Sequence, residues 1–326
     1  MTADVAQQAE TIAADGPAEG TGMERRRIFA VLNAQAGTLL HHGGDALADR
    51  LRADLQAAHD LIDFRLAQPK EMQAALKAAF ASDAEVVLVG GGDGTLQHAA
   101  GMAIESGKIL GILPLGTLNV LARDLQIPLD LQGAAAILGR GAVRRIDVAD
   151  VGGELCLLKA MAGRLSATIR LREIQRRHLR ALAWLKMGWY ALRSLIRRPG
   201  TRFRLTIDGA EMDVRAAVLM VSLNRFRGRL EHPFARDRLD GGRLVVYGLS
   251  TKATRRHGRE KFVAARDEGL LDRFILAEGE RITLQTRRSH IHLSVDGELR
   301  LFPSPVEIRI LPMALQVLMP EEGPAG

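Results

Sequence analysis

The first half of the sequence alternates continuous apolar runs with helical patterns, and this alternation constrains the fold more than any other feature. The apolar runs predict buried strands at 28–34, 84–90 and 109–115, with a further strand-like run at 61–66. The intervening segments predict helices at 44–59, 70–81 and 95–106. Buried strands joined by helices indicate a mostly parallel sheet that is covered on both faces.

The pattern changes after about residue 142. Short alternating segments with turn residues between them predict antiparallel sheet, arranged as a β-sandwich, and one long helical stretch at 165–198 interrupts it. We therefore predict an α/β domain at 25–142 and a mainly antiparallel β domain at 143–320, with tails at 1–24 and 321–326. The last strand could also return to the first domain.

Composition limits the class of protein. The 326 residues are 47% hydrophobic, which is enough for a large core, and no apolar run reaches the 18 residues expected of a membrane-spanning helix. The single cysteine, Cys156, excludes a disulfide framework and favours a reducing compartment. Residues 1–24 lack the apolar core of a signal peptide, so a flexible tail is expected there.

Three glycine-bearing turns, at Gly37, Gly90–Gly94 and Gly116, follow predicted strands. Ligands of parallel sheets bind beyond the carboxyl ends of the strands. The run "GGGDGT" at 90–95 fits neither the P-loop nor the G-x-G-x-x-G pattern, but glycines let backbone N–H groups approach an anion. Thr95 is expected to start the next helix, whose N-terminus adds positive partial charge.

Asp93 is the one carboxylate in this run. A carboxylate among phosphates is repelled unless a divalent cation lies between them, so Asp93 is best interpreted as a contact of magnesium. The alternative is a tight turn in which Asp93 is only a helix N-cap. A second turn in "PLGTLNVLARDL" (114–125), with Gly116, Thr117 and Asn119, favours a phosphate cleft between two neighbouring strand ends.

"GGDGT" at 91–95, followed by "PLGTLNVLAR" at 114–123, resembles the diacylglycerol kinase catalytic domain family, which includes bacterial soluble lipid kinases, sphingosine kinases and ceramide kinases. "VLNAQAG" (31–37), "IDV" (146–148), "HPFARDRLDGG" (232–242) and "SVDGELRLFP" (294–303) extend the resemblance. It implies a first domain like those of phosphofructokinases and NAD kinases, and ATP and Mg²⁺ as co-substrate and cofactor.

The resemblance also implies roles for single residues. The nucleotide would be bound by Asn33, Gly91, Gly92, Asp93, Gly94, Thr95, Gly116, Thr117 and Asn119. Asp93 would serve the magnesium of MgATP, and Glu298 would be the general base that takes the proton of a lipid hydroxyl. Read on its own, Glu298 fits a solvated residue after the Asp296-Gly297 turn better than a catalytic base, and the resemblance reverses this preference. Asp240 is the one residue that we assign to a second, structural metal site, because the surrounding sequence departs from the family.

Basic charge is concentrated in residues 164–204, where twelve Lys and Arg face one acid, Glu173. The segment carries +11, and because the whole chain carries +7, the remainder carries −4. An apolar stripe in this segment predicts an amphipathic helix that rests on an anionic membrane through Trp184, Lys186, Trp189 and Arg193. The alternative is that the stripe packs on the β domain. Nucleic acid and zinc are not expected partners.

The leading hypothesis is an ATP-dependent lipid kinase that phosphorylates a hydroxyl of diacylglycerol, on the inner, cytoplasmic face of a membrane. A sphingosine or ceramide kinase is an alternative. An NAD kinase-like enzyme is another, and a catalytically inactive lipid- or nucleotide-binding module is suggested by Gln97, His98 and the altered segment before Asp240. A homodimer is left open.

Overall fold

The structure is a computed structural model that describes residues 25–37, 39, 44–163, 200–227, 235–249 and 274–321. The predicted helix at 165–198 lies outside these ranges. Among the described residues, no helix has the length and apolar character needed to cross a membrane.

The helices and strands are numbered here in chain order. The first stretch contains β1 (Arg27–Asn33), α1 (Gly44–Ala58), β2 (Asp60–Ala67), α2 (Met72–Ala81), β3 (Val86–Gly91), α3 (Asp93–Ser106), β4 (Ile109–Pro114), α4 (Val120–Asp124) and α5 (Leu131–Arg140). It is followed by β5 (Ala142–Val151), β6 (Glu154–Cys156), β7 (Lys159–Gly163), β8 (Thr201–Ile207), β9 (Ala210–Ala216), β10 (Val218–Leu223) and β11 (Leu244–Leu249). The last strands are β12 (Ile275–Gly279), β13 (Arg281–Gln285), β14 (His290–Val295), β15 (Glu298–Pro303) and β16 (Val306–Met319).

The described residues divide into two compact units. The first contains the chain up to Val148, the short segment Arg238–Asp240, and the C-terminal stretch from Leu311. Asp147 is fully buried and connects these pieces: its N–H donates to Leu239 O at 2.7 Å, and its Oδ1 accepts from Met313 N at 2.9 Å.

The sheet of the first unit has the strand order β2-β1-β3-β4, with β4 next to the C-terminal part of β16. All of these pairs are parallel. Every residue of β3 and β4 is buried, which agrees with the apolar runs in the sequence and with a sheet covered on both faces. The strand order reverses between β1 and β3, the position at which parallel sheets open a crevice for ligands.

The second unit contains Ala149–Asp237 and Gly241–Ile310 as far as they are described. One of its sheets has the order β12-β11-β10-β7-β14-β15, and every pair in it is antiparallel. In the other, β13 pairs antiparallel with β8 and with the first part of β16, and β8 pairs with β9. The predicted change from parallel to antiparallel sheet is confirmed, whereas the sandwich arrangement stays a prediction.

Candidate nucleotide site

Three strand ends meet at one edge of the parallel sheet. Leu32 of β1 pairs with Gly90 of β3, and Gly91 pairs with Pro114 of β4. The chain therefore leaves all three strands at the same level. The turns that the sequence singled out after β1, β3 and β4 begin there.

The turns after β3 and β4 approach each other so closely that the turn after β4 has no room for a side chain at Gly116. A Cβ atom on Gly116 would lie 2.6 Å from the Cα of Gly92 and 2.8 Å from Asn119 Oδ1. Contacts this short do not occur for real Cβ atoms, and the obstacle is backbone, which cannot rotate away. Glycine at 116 is thus required by space.

Gly91 also has no room for a side chain, and the obstacle there is Thr95. A Cβ atom there would lie 2.7 Å from the Cβ of Thr95, so the threonine side chain occupies the space above Gly91. None of the glycines at 90–94 has positive φ, and neither does Gly116. These glycines therefore serve close approach and not a left-handed backbone. Helix α3 also begins at Asp93, two residues before the expected start at Thr95.

Asp93 joins the two turns. Helix α3 has Gly92 as its N-cap and no side-chain cap bond, so Asp93 is not the N-cap of its own helix. Its Oδ1 instead accepts a hydrogen bond from the backbone N–H of Leu121 in α4, at 3.3 Å. The half-buried carboxylate is thereby fixed between the glycine turn and the start of α4.

Asn119 is the N-cap residue of α4, and it lies in the left-handed region with φ of 48°. Its Nδ2 donates to Pro114 O at 3.1 Å, which closes the turn after β4. Its Oδ1 is buried and has no hydrogen-bond partner among the described residues. Buried acceptors are rarely left without a donor, so this oxygen is suited to a donor from a ligand or a water.

The turn after β1 lies beside the turn after β4. A Cβ on Gly37 would be 3.8 Å from Thr117 Oγ1, which is ordinary van der Waals contact. Asn33 stabilises its own turn, because its Oδ1 accepts from Gln35 N at 2.9 Å. Thr117 and Gly94 are exposed. The structure thus brings the predicted residues of the first unit together at one edge of its sheet.

Glu298 lies in the second unit, at the start of β15. Its Oε2 accepts a hydrogen bond from Arg300 Nη2 at 2.7 Å, and both side chains are about half exposed, at 49% and 46%. An ion pair this exposed is weak, so the carboxylate can exchange Arg300 for another hydrogen-bond partner.

Residues 27–151, which contain all three turns, match the family model of the diacylglycerol kinase catalytic domain. Over these residues the chain is similar to a diacylglycerol kinase catalytic domain. The match spans β1 to the end of β5 in this structure.

Known relatives are lipid kinases. A diacylglycerol kinase of Bacillus subtilis is 28% identical over 253 residues, which are 76% of this chain and 82% of that protein. A YegS-like lipid kinase of Pseudomonas syringae pv. tomato is 34% identical over 144 residues, and the match covers 43% of this chain and only 45% of that relative. The family match and these relatives together support a lipid kinase.

A solved structure extends the likeness in fold to nearly the whole chain. The crystal structure of a diacylglycerol kinase from Bacillus anthracis str. Sterne superposes with a TM-score of 0.67 at 18% identity. The superposition covers 93% of this chain and 99% of that one. At this identity the comparison shows a shared fold.

Asp296 of this kinase is a residue whose role sequence reasoning missed. Asp296 and Gly297 form the two-residue turn between β14 and β15, with φ of 48° and 97°. Its carboxylate also accepts from the backbone N–H groups of Leu157, Leu158 and Lys159 at 2.6–3.0 Å. Burial raises the pKa of Asp296 despite these bonds. The Asp-Gly signal predicted the turn but not the buried carboxylate.

The remaining predicted site residues are Asp240 and the four predicted membrane contacts. Asp240 is exposed and forms an ion pair with Arg238 at 3.2 Å. The described ranges contain no group of three or more His, Cys, Asp or Glu arranged to hold a metal ion. The predicted membrane contacts Trp184, Lys186, Trp189 and Arg193 lie outside the described residues.

Proposed function

We propose that this lipid kinase transfers the γ-phosphate of MgATP to a hydroxyl group of a membrane lipid, with diacylglycerol as the leading acceptor. The observation that carries the proposal is the meeting of the two glycine turns, where Gly92 and Gly116 are in contact and Asp93 is fixed by Leu121 N–H. Bare backbone beside a carboxylate suits a polyphosphate with its cation.

The residues present fit magnesium held by the nucleotide. Mg²⁺ in phosphoryl-transfer sites takes most of its ligands from phosphates and water and needs only one or two carboxylates. Asp93 supplies one, and the buried Oδ1 of Asn119 is a further acceptor in the adjoining turn after β4. When bound, the ion would neutralise charge on the transferred phosphoryl group.

Each residue has a distinct task in the proposed reaction. Backbone N–H groups of the turns after β3 and β4 orient the phosphates, and Asp93 positions the metal-bound end. Glu298 accepts the proton of the lipid hydroxyl as the oxygen attacks the γ-phosphorus and the bond to the β-phosphate oxygen breaks. We also propose that the enzyme works at the membrane surface, where its acceptor is dissolved.

The test is transfer of labelled phosphate from MgATP to lipids in mixed vesicles, with identification of the product. We expect diacylglycerol to be phosphorylated, and we expect Glu298→Gln to reduce transfer by about 100-fold or more while ATP binding is retained. Sphingosine or ceramide as the preferred acceptor would replace diacylglycerol in the proposal. Transfer to NAD, or ATP binding without any turnover across the lipid panel, would overturn it.

A further inference from the structure

The outer face of β9, β8 and β13 in the second unit is basic at one end. Its exposed residues follow the strand register: Arg215 of β9 pairs with Arg202 of β8, and in the next row Asp213 pairs with Arg204, which pairs with Gln285 of β13. All five of these residues are exposed, whereas neighbours of theirs along the strands are buried, namely Phe203, Leu205, Val214, Ala216 and Leu284.

The pairing of Arg202 with Arg215 places two like charges directly opposite each other. Side chains in this position have Cβ atoms about 5 Å apart, and like charges there destabilise a sheet. Arg204 is partly compensated by Asp213, at 3.4 Å, but that pair is largely exposed. The face therefore keeps excess positive charge that an anion would neutralise.

These side chains surround a shallow, open depression of about 560 Å³. The lining contains four guanidinium groups and one carboxylate, and Gln285 and Thr286 add polar groups; the residues are Arg202, Phe203, Arg204, Asp213, Val214, Arg215, Gln285, Thr286 and Arg287. Guanidinium groups bind phosphate oxygens in pairs of parallel hydrogen bonds. The depression has the charge and donors to bind phosphate head groups.

We propose that this face, defined by Arg202, Arg204, Arg215 and Arg287, binds the surface of an anionic bilayer. The proposal rests on the proposed function, because an enzyme whose acceptor is a membrane lipid has to contact the membrane. Charge complementarity identifies the partner: four arginines lie together on an open sheet face, and two of them, Arg202 and Arg204, end the basic segment at residues 164–204.

A bilayer fits this face better than nucleic acid does. Proteins that bind single-stranded nucleic acid stack bases on exposed aromatic side chains. Among the residues that line the depression, Phe203 is the one aromatic residue, and it is buried with 2% exposure. Contact with the bilayer is thus electrostatic, and it should weaken as salt is added.

The experiment measures partitioning of the full chain onto vesicles without ATP, using phosphatidylcholine with or without phosphatidylglycerol, at low and high salt. We expect Arg202→Gln/Arg215→Gln to bind anionic vesicles about 25-fold more weakly, since each basic residue near an anionic surface strengthens binding by about fivefold. The matched control is Arg50→Gln/Lys77→Gln, which removes the same charge from exposed positions of the first unit. It should bind within about twofold of the wild type.

Two further measurements distinguish a loss of membrane binding from effects on folding and on catalysis. Arg202→Gln alone should melt no lower than the wild type, because it removes half of a repulsive pair. The double variant should phosphorylate lipid dispersed in nonionic detergent at the wild-type rate.

Equal vesicle binding by the double variant and its control would overturn the proposal. A double variant that loses oligonucleotide binding but keeps its vesicle binding would overturn it as well. A wild type that binds anionic vesicles but transfers no phosphate would count against the kinase proposal alone.

Discussion

Two acidic residues of the same hairpin, Asp296 and Glu298, have opposite surroundings. Glu298 is half exposed and paired with Arg300, so it can move toward a substrate. Asp296 accepts three backbone N–H groups from residues 157–159 and also the Cys156 thiol at 3.4 Å. We interpret Asp296 as the residue that anchors the hairpin, and thus as one that positions Glu298.

Replacement of Asp296 by asparagine should destabilise the protein. Asparagine replaces one of the two carboxylate oxygens with an NH₂ group, which cannot accept a hydrogen bond. The oxygen lost is either Oδ2, which accepts from Leu157 N at 2.6 Å, or Oδ1. The loss of a buried acceptor costs about 1–3 kcal/mol. Urea unfolding measures this loss, with Glu298→Gln as the exposed control that should change the free energy of unfolding by less than about 0.5 kcal/mol. Equal stabilities for the two variants would contradict the anchoring role.

The effect of Asp296→Asn should depend on pH. Burial raises the pKa of Asp296 above its ordinary value of 3.8, so above that pH the folded protein binds more protons than the unfolded chain. Stability from Asp296 is thus complete below 3.8 and is lost as pH rises through the folded pKa. The difference in free energy of unfolding between wild type and Asp296→Asn should narrow as pH rises above 3.8. A difference that widens as pH rises would contradict the predicted direction of this pH dependence.

Among the structural elements, the turns after β3 and β4 are coupled to each other. They touch at Gly92 and Gly116, and Asp93 of α3 binds the first turn of α4. A change in either turn is therefore transmitted to the other. The separation of the turns should control nucleotide affinity more than any single side chain does.

Gly116→Ala tests this coupling. The added Cβ meets the Cα of Gly92 at 2.6 Å and forces the turns apart. Overpacking of this kind costs about 1–3 kcal/mol, so we expect ATP to bind roughly 10- to 100-fold more weakly in calorimetry. Gly37→Ala is the control, because among the described residues its Cβ meets Thr117 Oγ1 alone, at an ordinary 3.8 Å. Wild-type affinity for Gly116→Ala would show that the turns do not need this contact.

The sequence alone was sufficient to predict the elements that depend on a local pattern of residues. Fully apolar runs predicted β1, β3 and β4, because strands buried on both faces allow no polar alternation. Bonds between distant residues were not predictable: Asp93 and Leu121 are 28 positions apart, and Asp296 binds residues 137–139 positions away. Such contacts depend on how the elements pack, and packing has no local signature.

At the scale of the whole molecule, the two units have different proposed roles. We propose that the first unit binds the nucleotide at the carboxyl edge of its parallel sheet. The second supplies the proposed base, Glu298, and the arginine face that we propose for membrane contact. The central claim is that the carboxylate of Asp93 is tolerated among phosphates because a divalent cation accompanies them.

The rate of lipid phosphorylation by Asp93→Asn tests this claim most directly. Asparagine keeps an oxygen that can accept from Leu121 N–H, so the turns stay joined while the negative charge is removed. We expect the rate at physiological magnesium to fall by about 100-fold or more, with thermal stability close to that of the wild type. A variant that keeps the full wild-type rate at this magnesium concentration would contradict the account.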